Sequence, residues 1–369
     1  MKTKLKIILI TIILITIAFN SFSRVKFVTL PERSKVILNL ENPSDSLVME
    51  ERIITLQQGL NEIDFSWQGV NINADSIQFE PITNTDKISV LSVSYPPNEN
   101  ALTWKVSSGF SGEANVRIYY LLWGLDRTMS YKAQVSNDEK SAILKSYFKL
   151  SNNSGEDFED ANITTGFGNA WIKSIQNSES KEMLSFSVDA LPVQKRFIYD
   201  SQTDPEKTYM YYEIKNDKEN KLGDFLLKEG KARLFQTDNS GASIFLGEDY
   251  IKQTPVNEKS LLYLGVARDI VIKRNVMKDE KINLRWNNTK NQVVLYDREI
   301  QVKFEVENFK NVAENVKIVE HLSDYWVVEE STDKYEKKDA NTLEITSQIP
   351  PKGKKKTITL VYKMLNQMD

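Results

Sequence analysis

The chain has 369 residues, a formal net charge of −3, 40% hydrophobic and 27% charged residues, and no cysteine. That balance excludes an intrinsically disordered chain, a general electrostatic pull on nucleic acid, a disulfide framework and thiolate-rich zinc sites. The length suits two or three domains, and 16 Phe, 15 Tyr and 6 Trp supply large side chains for several cores.

Residues 1–23 read as an export signal. Lys2, Lys4 and Lys6 form a positive head, Ile7 to Phe19 is an apolar run of 13 residues broken only by Thr, and Ser21 and Ser23 are small residues placed for cleavage. A bilayer-spanning helix needs roughly 20 apolar residues, so the run is short for a permanent span; uncleaved, it would act as an N-terminal anchor. Cleavage leaves 45 basic against 51 acidic residues. With no Cys to carry a lipid, the expectation is an exported protein, periplasmic or at the cell surface, with no membrane span once the signal is removed.

The remaining chain reads as all-β, in several antiparallel sandwich-like domains. From 24 to 98, Val36, Leu38 and Leu40 alternate with polar residues, as do Ile63, Phe65 and Trp67. A period of two places one set on a buried face and the other toward water. Pro96-Pro97 marks a boundary, because proline cannot join a ladder. In a central region, 99–291, the alternating sets are Val116, Ile118 and Tyr120, then Tyr131, Ala133 and Val135, then Ala142, Leu144, Ser146, Phe148 and Leu150. Asp200 to Lys207 reads as a hairpin loop. The glycines at 223, 230, 241, 247 and 265 fall at strand ends and hairpins, without the spacing of a phosphate-binding loop. From 292 to 369 the pattern is clearest. Ile300, Val302, Phe304 and Val306 are followed by Val316 and Ile318, by Leu343, Ile345 and Ile349, and by Ile358, Leu360 and Tyr362. That spacing predicts an Ig-like sandwich without its cysteine pair. Helical patterning is nearly absent, the best candidates being short turns near Asp138–Ser141 and Leu322–Trp326.

Few residues carry chemistry. His321 is the single histidine, and at an apparent strand end it reads as a structural side chain with a local hydrogen bond. Glu156, Asp157, Glu159 and Asp160 put four carboxylates within five residues. A solvated turn is the first reading; a calcium site and a hydrolytic acid pair are the alternatives. Asp238-Asn239-Ser240-Gly241 is a hairpin signal. Lys352-Gly353-Lys354-Lys355-Lys356 reads as a solvated turn, with a polyanion site as the alternative. Asn152, Asn162 and Asn287 each begin an N-glycosylation pattern, which matters only in a host that glycosylates exported proteins.

Four stretches carry a family likeness: LVMEERIITLQQGLNEIDFSW from Leu47, LTWKVSSGFSGEANVRIYYLLWGLDRTMSYKAQV from Leu102, FKLSNNSGEDFEDA from Phe148, and LGDFLLKEGKARLFQTDNSGASIFLGEDYIKQTPVNE from Leu222. In order and spacing they resemble a family of exported prokaryotic proteins sharing a domain of unknown function, the mucoidy inhibitor A-like proteins. Relatives often carry a long coiled coil where this chain runs from Trp67 to Trp104 without one. The resemblance implies an exported β protein. It carries over no catalytic, cofactor-binding or metal-binding residue.

Together these features predict a non-catalytic structural or interaction module of the cell envelope, its partner an envelope protein or glycan. The competing expectation is an envelope glycan hydrolase with an acid pair between Glu156 and Asp160.

Overall fold

A computed structural model describes residues 26–28, 30–287, 292–323 and 325–368; the stretch expected to be an export signal lies outside the described residues. Among these the chain is built of β-strands with two 3-10 turns, Ala74–Ser76 and Lys218–Asn220. The described residues of Asp138–Ser141 and Leu322–Trp326, where helical turns are expected, hold no helix. Ser136 and Asp138 instead close a hairpin, with Ser136 Oγ donating to Asp138 Oδ1 at 2.7 Å. Trp326 lies within the strand Tyr325–Ser331.

Chain contacts divide the protein into two units, residues 1–128 with 148–185 and residues 129–147 with 186–369. The boundary expected at 98 lies between two paired strands, Ile88–Ser94 and Ala101–Ser108. The one expected at 291 lies between another pair, Ile270–Asn287 and Gln292–Asn308.

The first unit holds two sheets. One has the spatial order Lys26–Val28, Gly59–Ser66, Ala101–Ser108, Ile88–Ser94; the other Trp171–Ile175, Phe158–Thr164, Lys35–Asn39, Ser46–Leu56, Gly112–Leu122, Gln78–Pro81. Their inner faces meet through aromatic rings. Phe65 lies 5.8 Å from Tyr120, and Trp104 lies 5.1 Å from Phe79. The period-two residues supply this core: Leu38, Ile63, Val116 and Ile118 are all fully buried.

The second unit contains a sandwich of the same kind. One sheet runs Lys259–Val266, Thr208–Lys215, Gln194–Asp200, Glu314–His321, Thr342–Ile349, Tyr335–Lys337, and the other Ile270–Asn287, Gln292–Asn308, Lys354–Met368, Tyr325–Ser331. Val302, Phe304 and Val306 of one sheet pack in a single cluster with Val316, Ile318, Leu343 and Ile345 of the other. Each such side chain is worth roughly 1.5–3 kcal/mol on burial. A fifth sheet, Ser180–Pro192, Ser141–Asn152, Leu125–Val135, Gly230–Thr237, Ser243–Ile251, contains the strands in which the division between the units falls.

The antiparallel expectation holds for most pairings, but among the described residues four are parallel. Lys26–Val28 runs beside Gly59–Ser66, Lys35–Asn39 beside Phe158–Thr164, Leu125–Val135 beside Gly230–Thr237, and Gln194–Asp200 beside Glu314–His321. A parallel pair cannot be closed by a tight hairpin, so these pairings join segments distant in sequence. Truncating Phe304 to Ala should cost about 3–5 kcal/mol, read as a lowered urea midpoint at unchanged slope. A change below 1 kcal/mol would show that this core is not packed as described.

Candidate functional site

The acidic run does not act as a unit. Asp157, Glu159 and Asp160 are exposed, while Glu156 turns inward. Asp157 Oδ1 accepts from the backbone N–H of Asn177 at 2.7 Å and so ties down the turn after Trp171–Ile175, while the Asp160 N–H donates at 3.0 Å to Ser174 Oγ within that strand. Two features turn Glu156 the other way. Gly155 sits at φ +89°, and a Cβ there would lie 1.9 Å from the Gly69 carbonyl oxygen, so only glycine fits the turn. The fully buried Asn152 donates from Nδ2 to the Glu156 carbonyl at 2.7 Å.

Glu156 thereby joins a cluster inside the first unit. Arg33 Nη1 reaches Glu156 Oε1 at 2.5 Å, and Tyr120 donates its hydroxyl to Oε2 at 3.0 Å. Arg33 also donates to the Asp157 carbonyl at 2.8 Å and lies over the Phe158 ring, 5.6 Å from its centroid. A second carboxylate completes the group. Glu50 is fully buried; its Oε1 accepts from Arg52 Nε at 3.0 Å. Its Oε2 has Arg33 at 3.7 Å and accepts no hydrogen bond.

The electrostatics follow from two carboxylates placed around one central guanidinium. Burial pushes the Glu156 carboxyl up; Arg33 pulls it back, Glu50 adds to the rise, and the balance lies above the ordinary glutamate value. Burial works against the Arg33 charge, but Glu156 and Glu50 together outweigh it and hold its pKa high. Burial, with the charges of Glu156 and Glu50, drives the Tyr120 hydroxyl well above its usual range, so it stays a proton donor.

Glu50 and Arg52 were not among the sequence candidates, though a signal was present. In Ser46–Leu56 they occupy the same alternating positions as the buried Val48 and Ile54, and a charge at an inward position calls for a partner.

The second unit has a simpler counterpart. Arg274 grips Glu320, which is 2% exposed, with Nε at 3.0 and 3.1 Å from its two carboxylate oxygens. Burial, with the Glu320 charge, pushes both Tyr199 and Tyr362 up to about 12.

The other candidates are structural. His321 ends the strand Glu314–His321, with Nε2 3.1 Å from Asp200 Oδ1. The bond is not local in sequence: it ties that strand to the loop 200–207, where Asp200 also accepts from the N–H groups of Gln202 and Thr203. Burial would raise the Asp200 carboxyl, but these donors together hold it below the usual range. The 238–241 segment is the expected hairpin, with Asp238 Oδ1 accepting from the N–H groups of Ser240 and Ala242, both at 2.8 Å. Lys352 to Lys356 turns into the strand Lys354–Met368, and two of its lysines pair with acids, Lys355 with Glu307 at 3.0 Å and Lys356 with Asp333 at 2.6 Å. Of the glycosylation patterns, Asn152 is fully buried, so its side chain cannot receive a glycan in the folded protein; Asn162 is half-buried, and the pattern begun by Asn287 runs outside the described residues.

Among the described residues no group of three or more metal-ligating side chains converges, and no helix is long and apolar enough to cross a membrane. A shallow groove of about 350 Å³ is lined by Lys215, Asp217, Lys218, Glu219, Val256 and Asn257. Asp217 is committed there, to Lys215 at 2.7 Å and to the Asn220 N–H at 3.0 Å.

No family model matches the chain, and no curated protein matches it.

Arg33 is the member whose loss leaves the most charge unpaired. Arg33→Ala should cost about 3–5 kcal/mol near neutral pH, read by urea denaturation. The pH dependence has a definite sign. A carboxyl whose folded pKa is raised binds its proton more readily folded than unfolded, so stability falls as pH rises through that window. Without Arg33 the window widens upward, so the variant should lose most at high pH and approach the parent as pH falls into the ordinary glutamate range. A deficit independent of pH would show that the guanidinium does not compensate these carboxylates.

Proposed function

We propose that this chain is an exported cell-envelope protein that acts as a structural or interaction module and carries out no reaction of its own. The observation behind the reading is that the buried ionisable groups serve as internal struts. Arg33, Glu50, Glu156 and Arg52 bind one another, as do Arg274 and Glu320. Their chemistry is spent on the fold, leaving sheet edges and exposed rings for contact with a partner. The half-buried Tyr211 and Tyr263 lie side by side at 5.6 Å, while Trp286 and Tyr325 are 53% and 78% exposed. The export signal supports an envelope address, the resemblance to the mucoidy inhibitor A-like proteins fits it, and we read the C-terminal sandwich as Ig-like.

One observation favours a hydrolase instead. Glu156 is a carboxyl held toward its protonated form beside a second carboxylate, which is how a general acid is prepared. Against this, its two oxygens are already taken by Arg33 and Tyr120.

Two measurements separate these readings. Mass spectrometry of the exported chain should place its N-terminus at Arg24; a chain that begins at Met1 and pellets with membranes would make the signal an anchor. The purified protein should capture an envelope protein or glycan above background and release no reducing sugar from envelope polysaccharide. Sugar release that Glu156→Gln abolishes without unfolding would replace the module reading with the hydrolase.

A further inference from the structure

Each of the five sheets is open, which leaves ten edge strands among the described residues. An unguarded edge is a template for another strand, and proteins blunt it with charge, proline, very short strands or bulges. Nine of the ten carry one of the first three. Lys26–Val28 and Tyr335–Lys337 are three residues long and charged; Gln78–Pro81 has Glu80 and Pro81; Trp171–Ile175 has Lys173. The longer edges Ser180–Pro192, Ser243–Ile251, Lys259–Val266, Ile270–Asn287 and Tyr325–Ser331 each contain at least one charged residue. The exception is Ile88–Ser94, ISVLSVS, with neither a charge nor a proline in seven residues.

This strand is also poorly covered, exposed at every residue but Ile88. It pairs on one side only, with Ala101–Ser108. Val90 lies opposite the fully buried Val106 and Val93 opposite Trp104, so both sit on the core-facing side, yet they remain 38% and 41% exposed. The apolar inner face therefore runs on to the sheet edge and stops in water. Leu91, 56% exposed, is the extra residue of a bulge between Val90 and Ser92.

We propose that Ile88–Ser94 is a self-association edge, at which two copies of this chain pair antiparallel into one continuous sheet. The strand suits its own copy better than a charged partner. An uncharged strand meets no like charge when paired with itself. A two-fold axis normal to the sheet brings inner face beside inner face, so each copy's Val90 and Val93 extend the apolar face of the other. Pairing of one strand buries little area by the standard of stable interfaces, so the dimer is a weak, concentration-dependent one.

Sedimentation velocity across a concentration series should show a monomer–dimer equilibrium for the purified chain. Ser92→Lys and Leu91→Lys put like charges across the pairing and should each raise the dissociation constant at least tenfold. Ile172→Lys, at an exposed position on the guarded edge Trp171–Ile175, should leave it unchanged. All three positions are exposed, and an unaltered circular dichroism melt confirms folding. Because the chain has no cysteine, single cysteines at Ser89, Ser92 and Ser94 report pairing directly: oxidation should give a disulfide dimer strongest at the position nearest the two-fold axis. A monomer up to the solubility limit, or a dimer untouched by Ser92→Lys and Leu91→Lys, overturns the proposal. The result is independent of the envelope reading: a monomer that captures an envelope partner sinks only the dimer, and a dimer that captures nothing sinks only the module.

Discussion

A protein with no disulfide, whose described residues are strands and loops with almost no helix, must satisfy its loop backbone by other means. Here that falls largely to buried asparagine. Asn61, Asn152, Asn216 and Asn308 are all fully buried, and each stands where a strand meets a turn. Asn216 donates from Nδ2 to the carbonyls of Phe225, Thr254 and Pro255 at 3.0–3.2 Å and accepts from the Gly223 N–H at 2.9 Å. Asn308 joins Val312 to Ile349 and holds Lys310; Asn61 holds Gln57 and Gly59. A side-chain amide offers donors and an acceptor within one short planar group, so a single residue satisfies several loop groups that would otherwise be buried unpaired at about 1–3 kcal/mol each.

The buried charges depend on that pinning. Glu156 reaches Arg33 because Asn152 holds its carbonyl and Gly155 lets the loop close on Gly69. A buried ion pair contributes little net stability, but a mispaired one is costly. Glu50, Arg52 and Arg33 sit on or beside neighbouring strands, Ser46–Leu56 and Lys35–Asn39. A one-residue slip of Ser46–Leu56 would turn Glu50 and Arg52 to the outer face, away from Arg33 and Glu156, and would carry Val48 and Ile54 out of the core with them. The cluster therefore acts on register more than on depth of stability, and Arg274 with Glu320 does the same for the second sandwich.

How much of this the sequence showed follows from what sets each feature. The faces were legible: Leu38, Ile63, Ile118, Val302 and Leu360 lie at alternating positions and are all fully buried, because side-chain direction in a strand is local. The hairpin at Asp238 was legible because turn chemistry is local too. The four parallel pairings were not. Nothing near Lys35 or Phe158 shows that they share a ladder, since the pairing is set by how sheets assemble. The acidic run misled for the same reason. Closeness in sequence suggested a pair within 156–160, whereas Glu156 pairs with Arg33 and lies beside Glu50, over a hundred residues away. Glu50 and Arg52 could have been found, as charges breaking an otherwise apolar inward series.

Edges extend that argument to the surface. A chain that makes five open sheets creates many exposed ladders, and long charged strands such as Ile270–Asn287 show how it guards them, with Lys278 bonded to Glu299 and Arg298 to Asp279 across the pair. Those cross-strand charges satisfy each other within the sheet and leave a polar rim that repels a second strand. Ile88–Ser94 lies on the same kind of sheet, under the same pressure to avoid aggregation, without that device. Its bulge twists the ladder at Leu91, which limits open-ended stacking while leaving the segment on either side able to pair. An edge limited by a bulge but not closed by charge is suited to one partner strand and ill suited to a fibril.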